Sequence, residues 1–355
     1  MENNNKLSEQ KYGTIIIGAG QAGLATGYYL KQAGEDFIII DSSVQIGDSW
    51  RQRWDTLRLF TPSQYDGLPG MKFPSERNKF PDKNEMADYL ATYSKRFELP
   101  VQMGVKVNRL KINNSIFEIS SSSGTYYSER VVVATGTNPL PKIPKFANEL
   151  DSNILQIHSS KYRNPNSISG GDTLVVGAGT SGIEIALDIS KTHKTYIAGK
   201  PTFKIPDFLF NYTGGLYWWF ISNIITEKTP IGKKAKKKII KGGSPLIRIS
   251  ADDLDSSGIE RIPRVSGVKN GMPELEDGRV IRADNIIWST GFKPDFSWID
   301  LNITNGTGWP LMKRGVSETV KGLYFVGMLF QFGLTSGLIG GVGRDAKYVA
   351  NYIAN

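Results

Sequence analysis

A duplicated pattern of glycines constrains this chain more than any other feature. GTIIIGAGQAGLATGYYLKQAGEDFIIID, beginning at Gly13, and DTLVVGAGTSGIEIALDISKTHKTYIAGK, beginning at Asp172, follow one plan. A β-branched run leads into Gly18-Ala19-Gly20-Gln21-Ala22-Gly23 in the first and into Gly177-Ala178-Gly179-Thr180-Ser181-Gly182 in the second. A helical apolar pattern and a second apolar run follow each. The spacing predicts a strand, a tight turn, a helix and a parallel strand, the unit that binds a dinucleotide. The first glycine makes the turn, the second admits a pyrophosphate to the backbone, and the third lets helix pack on strand. The helix N-terminus then offers unpaired N–H groups and a partial positive charge to the phosphates. Two copies imply two dinucleotides, one to give a hydride and one to take it. A length of 355 residues suits two such domains, at about 150 residues each.

The ends of the second strands differ. Asp41 lies 23 positions after Gly18, where an acid holds the ribose hydroxyls of an adenine dinucleotide. The matching end of the second unit is Gly199-Lys200, with a lysine to attract a 2′-phosphate, so this site favours NADP over NAD. VVVATGTNPLPKIP and IIWSTGFKPD are a second matched pair. Each is a strand ending in Thr-Gly, at Ala134-Thr135-Gly136 and at Ser289-Thr290-Gly291, and each leaves backbone close to a bound cofactor. In the tail, a strand over Leu323–Val326 and a Gly/Ser/Thr loop lead into a helix from about Leu338 to Ile353. Its N-terminus suits the electron-rich edge of a flavin. The expected fold is α/β with two Rossmann-like domains. The first is discontinuous, 1–160 and 286–355; the second, 161–285, is inserted in it and carries a helical insert at about 201–255.

Composition removes several chemistries. With no cysteine there is no CxxC relay, thiolate nucleophile, Cys-ligated zinc or iron–sulfur cluster. His158 and His193 are the only histidines, which excludes a three-His metal site. No metal site is expected. Of the formal net charge of +9, six lysines at 233, 234, 236, 237, 238 and 241 supply most, so the basicity is local and no nucleic-acid partner is expected. The N-terminus has no apolar core of a secretory signal, and no apolar run approaches the roughly 20 residues of a membrane span, so a cytoplasmic protein is expected. LYWWFISNII followed by GKKAKKKIIKGG, inside the insert, combines aromatic residues with the lysine run. That mixture can mark an interfacial membrane helix. The reading taken is a helical lid packing Trp218 and Trp219 over the edge of the second domain, with a solvated lysine face and no membrane contact.

GAGQAG, GDSWRQRWDTLRLFTP (47–62), ATG at 134–136, GAGTSG, STGF at 289–292 and the tail together resemble the bacterial flavin-containing monooxygenases, related to YUCCA-type and Baeyer–Villiger enzymes. The resemblance spans nearly the whole chain. It implies that FAD lies on the first unit, with Gly47, Ser49, Trp50, Arg51, Leu57 and Thr61 along the flavin and Val107 and Gln331 adding contacts. It implies NADP(H) on the second unit, with Thr290 and Gly291 beside it. The family fingerprint FxGxxxHxxxY is half present: His158 and Tyr162 match, whereas Ser152 and Ile154 replace Phe and Gly. The family's active-site asparagine is missing after the tryptophan loop, where Ser63-Gln64 stands, and Gln64 is the candidate substitute. Trp50, Gln64 and His158 are therefore the expected catalytic residues. The implied reaction passes hydride from NADPH to flavin. Oxygen then gives a C4a-(hydro)peroxide, which oxygenates a sulfide, amine or ketone, with partial loss to hydrogen peroxide. A reductase or oxidase without oxygenation, and a nucleotide-binding redox sensor, are the alternatives. The expected partners are a small substrate and O2, and homodimerisation is left open.

Overall fold

The computed structural model describes residues 10–206, 214–240, 245–304, 306 and 308–355. The β-branched runs that precede both glycine turns form the centres of two sheets. In the first, Gln10–Ile17 lies between Phe37–Ile40 and Gly124–Val133, parallel to both, with Ile15 opposite Ile38 and Val131. Leu323–Phe325 extends this parallel core on one side and Val101–Gln102 on the other. An antiparallel hairpin, Val107–Asn113 and Ile116–Ser121, pairs with Gly124–Val133 and completes most of a nine-stranded sheet. The second sheet has five parallel strands in the order Glu260–Ile262, Thr195–Ala198, Thr173–Val176, Asn285–Trp288, Leu155–His158. Its middle strands are buried along their length. Both faces are therefore covered, as a parallel sheet requires.

Helix α1 (Gln21–Gln32) follows the first glycine turn. The short helix α2 (Asp48–Arg51) and helix α3 (Lys83–Arg96) follow in the same domain. α3 opens with a capping box. The Asp82 carboxylate accepts from the N–H groups of Asn84 and Glu85, and Glu85 accepts from Asp82 N–H at 2.7 Å. Helix α4 (Thr180–Ile189) follows the second glycine turn, and the insert contributes α5 (Gly214–Asn223), α6 (Pro230–Ile240) and α7 (Ala251–Ser256). Helix α8 (Ile339–Ala354) closes the chain and packs along α1. One apolar cluster runs from Ile16, Leu24 and Val349 of the first domain through Tyr162 to Val175 and Ile183 of the second.

The second sheet reaches further along the sequence than the expected boundaries. Leu155–His158 and Asn285–Trp288 belong to it, so the chain crosses between domains before Leu155 and after Trp288. The insert also departs from expectation. Trp218 does not cover the edge of its own domain: it stacks on Tyr65 of the first domain, ring centroids 4.7 Å apart. Leu334 N–H donates to Ile225 C=O at 3.0 Å and Glu227 N–H to Phe332 C=O at 2.8 Å, fastening the insert to the loop before α8. Trp219 stays 54% exposed. Lys241, in the sequence run of lysines, lies outside the described residues.

Candidate active site

The two glycine turns are built alike. A Cβ on Gly18 would lie 2.6 Å from Ala134 C=O, and one on Gly177 would lie 2.4 Å from Ser289 C=O; φ is +112° and +110°. Both positions therefore exclude a side chain on two grounds. A Cβ on Gly23 or Gly182 would come within 1.8 Å of the carbonyl oxygen of Gly18 or Gly177, so these glycines let helix and strand touch. Gly20 and Gly179 differ: nothing lies within 4 Å of a Cβ at either. Each opens a helix without a side-chain cap, α1 at Gln21 and α4 at Thr180. Unpaired N–H groups, a positive helix end and empty space coincide at Gln21-Ala22 and at Thr180-Ser181. Both cradles fit a pyrophosphate.

The surroundings of each cradle are placed by backbone contacts. Asp41 holds its carboxylate beside the first turn, where Oδ2 accepts from Ala19 N–H at 2.7 Å and Oδ1 from Ser43 N–H at 2.7 Å. A carboxylate has about four acceptor sites, so two remain for hydroxyls. Val105 N–H donates to Asp41 C=O at 2.8 Å, which leads the strand of half-buried Val107 past this end. Gly327 closes on the same turn, since a Cβ there would meet Ala22 Cβ at 2.8 Å. At the second turn, Gly199 stands against Ala178, and Lys200 beside it is exposed. Gly136 and Gly291, at φ +76° and +82°, face open space after their strands. The Thr290 hydroxyl donates to Lys142 C=O, tying the two crossing segments together.

The segment from Gly47 to Asp66 forms a wall against α3 and the start of α8. Gly47 adopts φ +93°, and a Cβ there would lie 2.7 Å from Ala87 C=O, so α2 sits hard against α3. Trp50 is half-buried against the core, Leu57 and Thr61 are buried, and Ser49 is exposed. Arg51 donates to Ile46 C=O at 2.7 Å and Asp88 Oδ1 at 2.6 Å. The N-terminus of α8 meets this wall at Gly340, where a Cβ would lie 1.8 Å from Tyr65 C=O. Leu338 opens α8 with no side-chain cap.

The model of the pyridine nucleotide-disulphide oxidoreductase family matches residues 15–202. A Geobacillus kaustophilus protein described as an uncharacterized CzcO-like oxidoreductase is 40% identical over 96% of this chain and 98% of its own. YUCCA3 of Arabidopsis thaliana, a probable indole-3-pyruvate monooxygenase, is 30% identical over 97% of this chain and 86% of its own. The chain belongs to the flavin monooxygenase family. The Stenotrophomonas maltophilia flavin-containing monooxygenase shares its fold, with TM-score 0.79, 22% identity and coverage of 97% of this chain and 98% of that one. This flavin monooxygenase is thus a flavin-dependent oxidoreductase, and its family uses FAD and NADPH. The matched family model is named for disulfides, but a chain without cysteine has no thiol of its own to relay electrons.

Three expected site residues of this flavin monooxygenase make side-chain hydrogen bonds within the chain. Gln64 and Asn78 form a reciprocal pair, the side-chain amide donating to Asn78 Oδ1 and accepting from Asn78 N–H, both at 2.8 Å. One amide hydrogen and the amide oxygen of Gln64 are engaged in this pair. Gln331 is 2% exposed, donates to Phe325 C=O at 3.0 Å and accepts from Met328 N–H at 3.2 Å. Its side chain braces the corner before α8. His158 is 5% exposed and satisfied at both nitrogens. Nδ1 accepts from Ser160 N–H at 3.2 Å, which leaves the proton on Nε2 to donate to Gly291 C=O at 3.0 Å. Burial, with Arg53 adding to it, pushes the imidazole pKa down, which favours the neutral ring that braces the Thr290-Gly291 turn.

The sequence reading missed Asp66. Its side chain is fully buried, its Oδ1 accepts from the Thr61 hydroxyl, and its Oδ2 has no hydrogen-bond partner. Burial pushes its pKa up to about 7, against the opposing Thr61 hydrogen bond. The only sequence signal is a carboxylate in the apolar setting Tyr65-Asp66-Gly67-Leu68, just after the tryptophan stretch. The reading also missed how the domains are pinned behind this wall. Asp55 of the first domain accepts from Asn164 of the second and from Lys83 of its own, both at 2.6 Å.

Proposed function

We propose that this protein is an NADPH-dependent FAD monooxygenase that puts one oxygen atom of O2 into a small sulfide, amine or ketone. The observation that carries this reading is the pair of matched, open glycine cradles under uncapped helix ends, in a chain with no thiol. Gly18, Gly20, Gln21, Ala22, Gly23 and Asp41 would hold FAD, with Gly47, Ser49, Trp50, Arg51, Leu57 and Thr61 along it and Val107, Ala134, Thr135 and Gly136 at its edges. Gly177, Gly179, Thr180, Ser181, Gly182 and Lys200 would hold NADPH, with Thr290 and Gly291 beside it. When bound, NADPH supplies a hydride and FAD the oxygen-activating chemistry. The chain's own part is position and dryness. His158 fixes the Gly291 carbonyl, the Gly47–Asp66 wall excludes water, and Asp66 holds a proton near neutrality. The relative named for indole-3-pyruvate supports a ketone among the substrates.

Ser63-Gln64 stands where the family asparagine is expected, and Gln64 pairs with Asn78, so partial uncoupling is the expected consequence. NADPH consumption with a thioether should therefore give sulfoxide in less than stoichiometric amount and hydrogen peroxide for the remainder. Chromatography of the sulfoxide and a peroxidase-coupled assay measure both. Failure to oxygenate any sulfide, amine or ketone would replace this reading with the reductase or oxidase.

A further inference from the structure

The insert carries a surface that the reaction does not use. Helix α5 turns Gly214, Trp218 and Ile221 inward, with Trp218 stacked on Tyr65. Its outward side carries Leu216, Trp219 and Phe220, which are 68%, 54% and 38% exposed. A surface helix ordinarily turns polar residues to water, whereas this helix is apolar on both sides. Helix α6 buries Gly232 and half-buries Ala235, Lys236 and Ile239. Its outward arc is Lys233, Lys234, Lys237 and Lys238, bordered by exposed Ile231 and Ile240. Among the described residues, Lys236 alone of this run reaches a carboxylate, Glu227 at 3.7 Å. Both helices rest on the turn Leu334–Gly337, so their outward sides point away from one common support.

We propose that α5 and α6 dock this enzyme on the surface of an anionic lipid bilayer. The chemistry of the surface selects this occupant. Indole, phenyl and leucyl side chains enter the boundary between headgroups and acyl chains, while ammonium groups beside them meet lipid phosphates. A second copy of the chain fits poorly, because a two-fold interface would set the lysine arc against its own image. The enzyme rests on the bilayer and does not cross it; among the described residues no helix is long and apolar enough for that. This inference is independent of the oxygenation reading.

Cosedimentation of the FAD-loaded enzyme with vesicles tests it. One set of vesicles is phosphatidylcholine alone; the other contains phosphatidylglycerol. Binding should appear on the anionic vesicles at low salt and fade as salt rises. Replacing Lys233, Lys234, Lys237 and Lys238 by Gln should weaken partitioning about 5-fold for each lysine. Leu216→Ser, Trp219→Ser and Phe220→Ser together should abolish it. Both variants should keep FAD content and the rate of NADPH oxidation, which shows that they fold. Absence of binding to anionic vesicles, equal binding to neutral ones, or binding unchanged by the substitutions would overturn the proposal. So would a dimer in sedimentation velocity that the triple serine variant dissolves, since the occupant would then be a second copy.

Discussion

The glycines of the first turn do separable jobs, and the structure assigns a different cost to each. At Gly20 the backbone has φ −77° and ψ −173°, which any L-residue adopts, and a Cβ meets nothing within 4 Å. Gly20→Ala should therefore leave the fold untouched, with a change in stability within about 0.5 kcal/mol. The methyl group would occupy the space left over the N–H groups of Gln21 and Ala22. Displacing a phosphate from two charge-assisted hydrogen bonds removes about 3–4 kcal/mol, or roughly 150- to 1,000-fold in FAD affinity. At Gly23 a Cβ would stand 1.8 Å from Gly18 C=O, a backbone atom that cannot turn aside. Ordinary contact needs about 3.2 Å, so α1 must lift by more than an ångström, an overpacking cost of about 3 kcal/mol or more. Gly23→Ala should lower the thermal midpoint of the apoprotein itself. Visible absorbance of the desalted protein, FAD titration by fluorescence quenching, and thermal unfolding of the apoprotein by circular dichroism separate the two outcomes. Gly20→Ala with unchanged FAD affinity would refute the assignment of this cradle. Apoprotein stability falling equally in both variants would refute the distinction between them.

Two further outcomes follow from the same geometry. Lys200 is exposed beside the second turn, so Lys200→Ala should raise the KM for NADPH roughly 5- to 30-fold and leave that for NADH unchanged, measured by steady-state oxidation. Equal effects on both nucleotides would remove Lys200 from 2′-phosphate recognition. Asp66, with a carboxyl raised from 3.8 to about 7 by burial, keeps its proton in the folded state after the unfolded chain has lost it. Stability from this group is then fully present below about pH 4, falls as the pH rises and levels off above about 7, by about 4 kcal/mol at most. Urea midpoints of the apoprotein across that range should show the decline, and Asp66→Asn should flatten it; the same slope in both proteins would contradict the burial argument.

The parts of this molecule that sequence reveals are those whose cause is local. Gly18, Gly20 and Gly23 are dictated by contacts within one strand–turn–helix, and the same holds for Gly177, Gly179 and Gly182, so both units are legible from spacing. Leu155–His158 and Asn285–Trp288 are strands of four residues, and nothing in four residues says which sheet will take them. Side-chain roles were legible least. Gln64 is claimed by a residue 14 positions away and His158 by a carbonyl 133 positions away, so neither pairing leaves a trace in spacing. Asp66 is not marked by any motif. Its character comes from burial, which arises only once the chain is folded. Trp218 reads as an aromatic lid residue in either domain, and the open ring of Tyr65 decides between them.

The pairing of residues 225–227 with 332–334 has a mechanical meaning. Two covalent crossings alone would join the domains as a hinge joins a door, free to swing about one line. The insert grows from the swinging part and is fastened to the frame, which makes a third point of attachment off that line. Three points that are not in line fix one body on another. Large rotation between the halves then requires the backbone bonds from Leu334 to Ile225 and from Glu227 to Phe332, and the Tyr65–Trp218 stack, to part first. The distance between the two cradles is thereby tied to the seating of the insert.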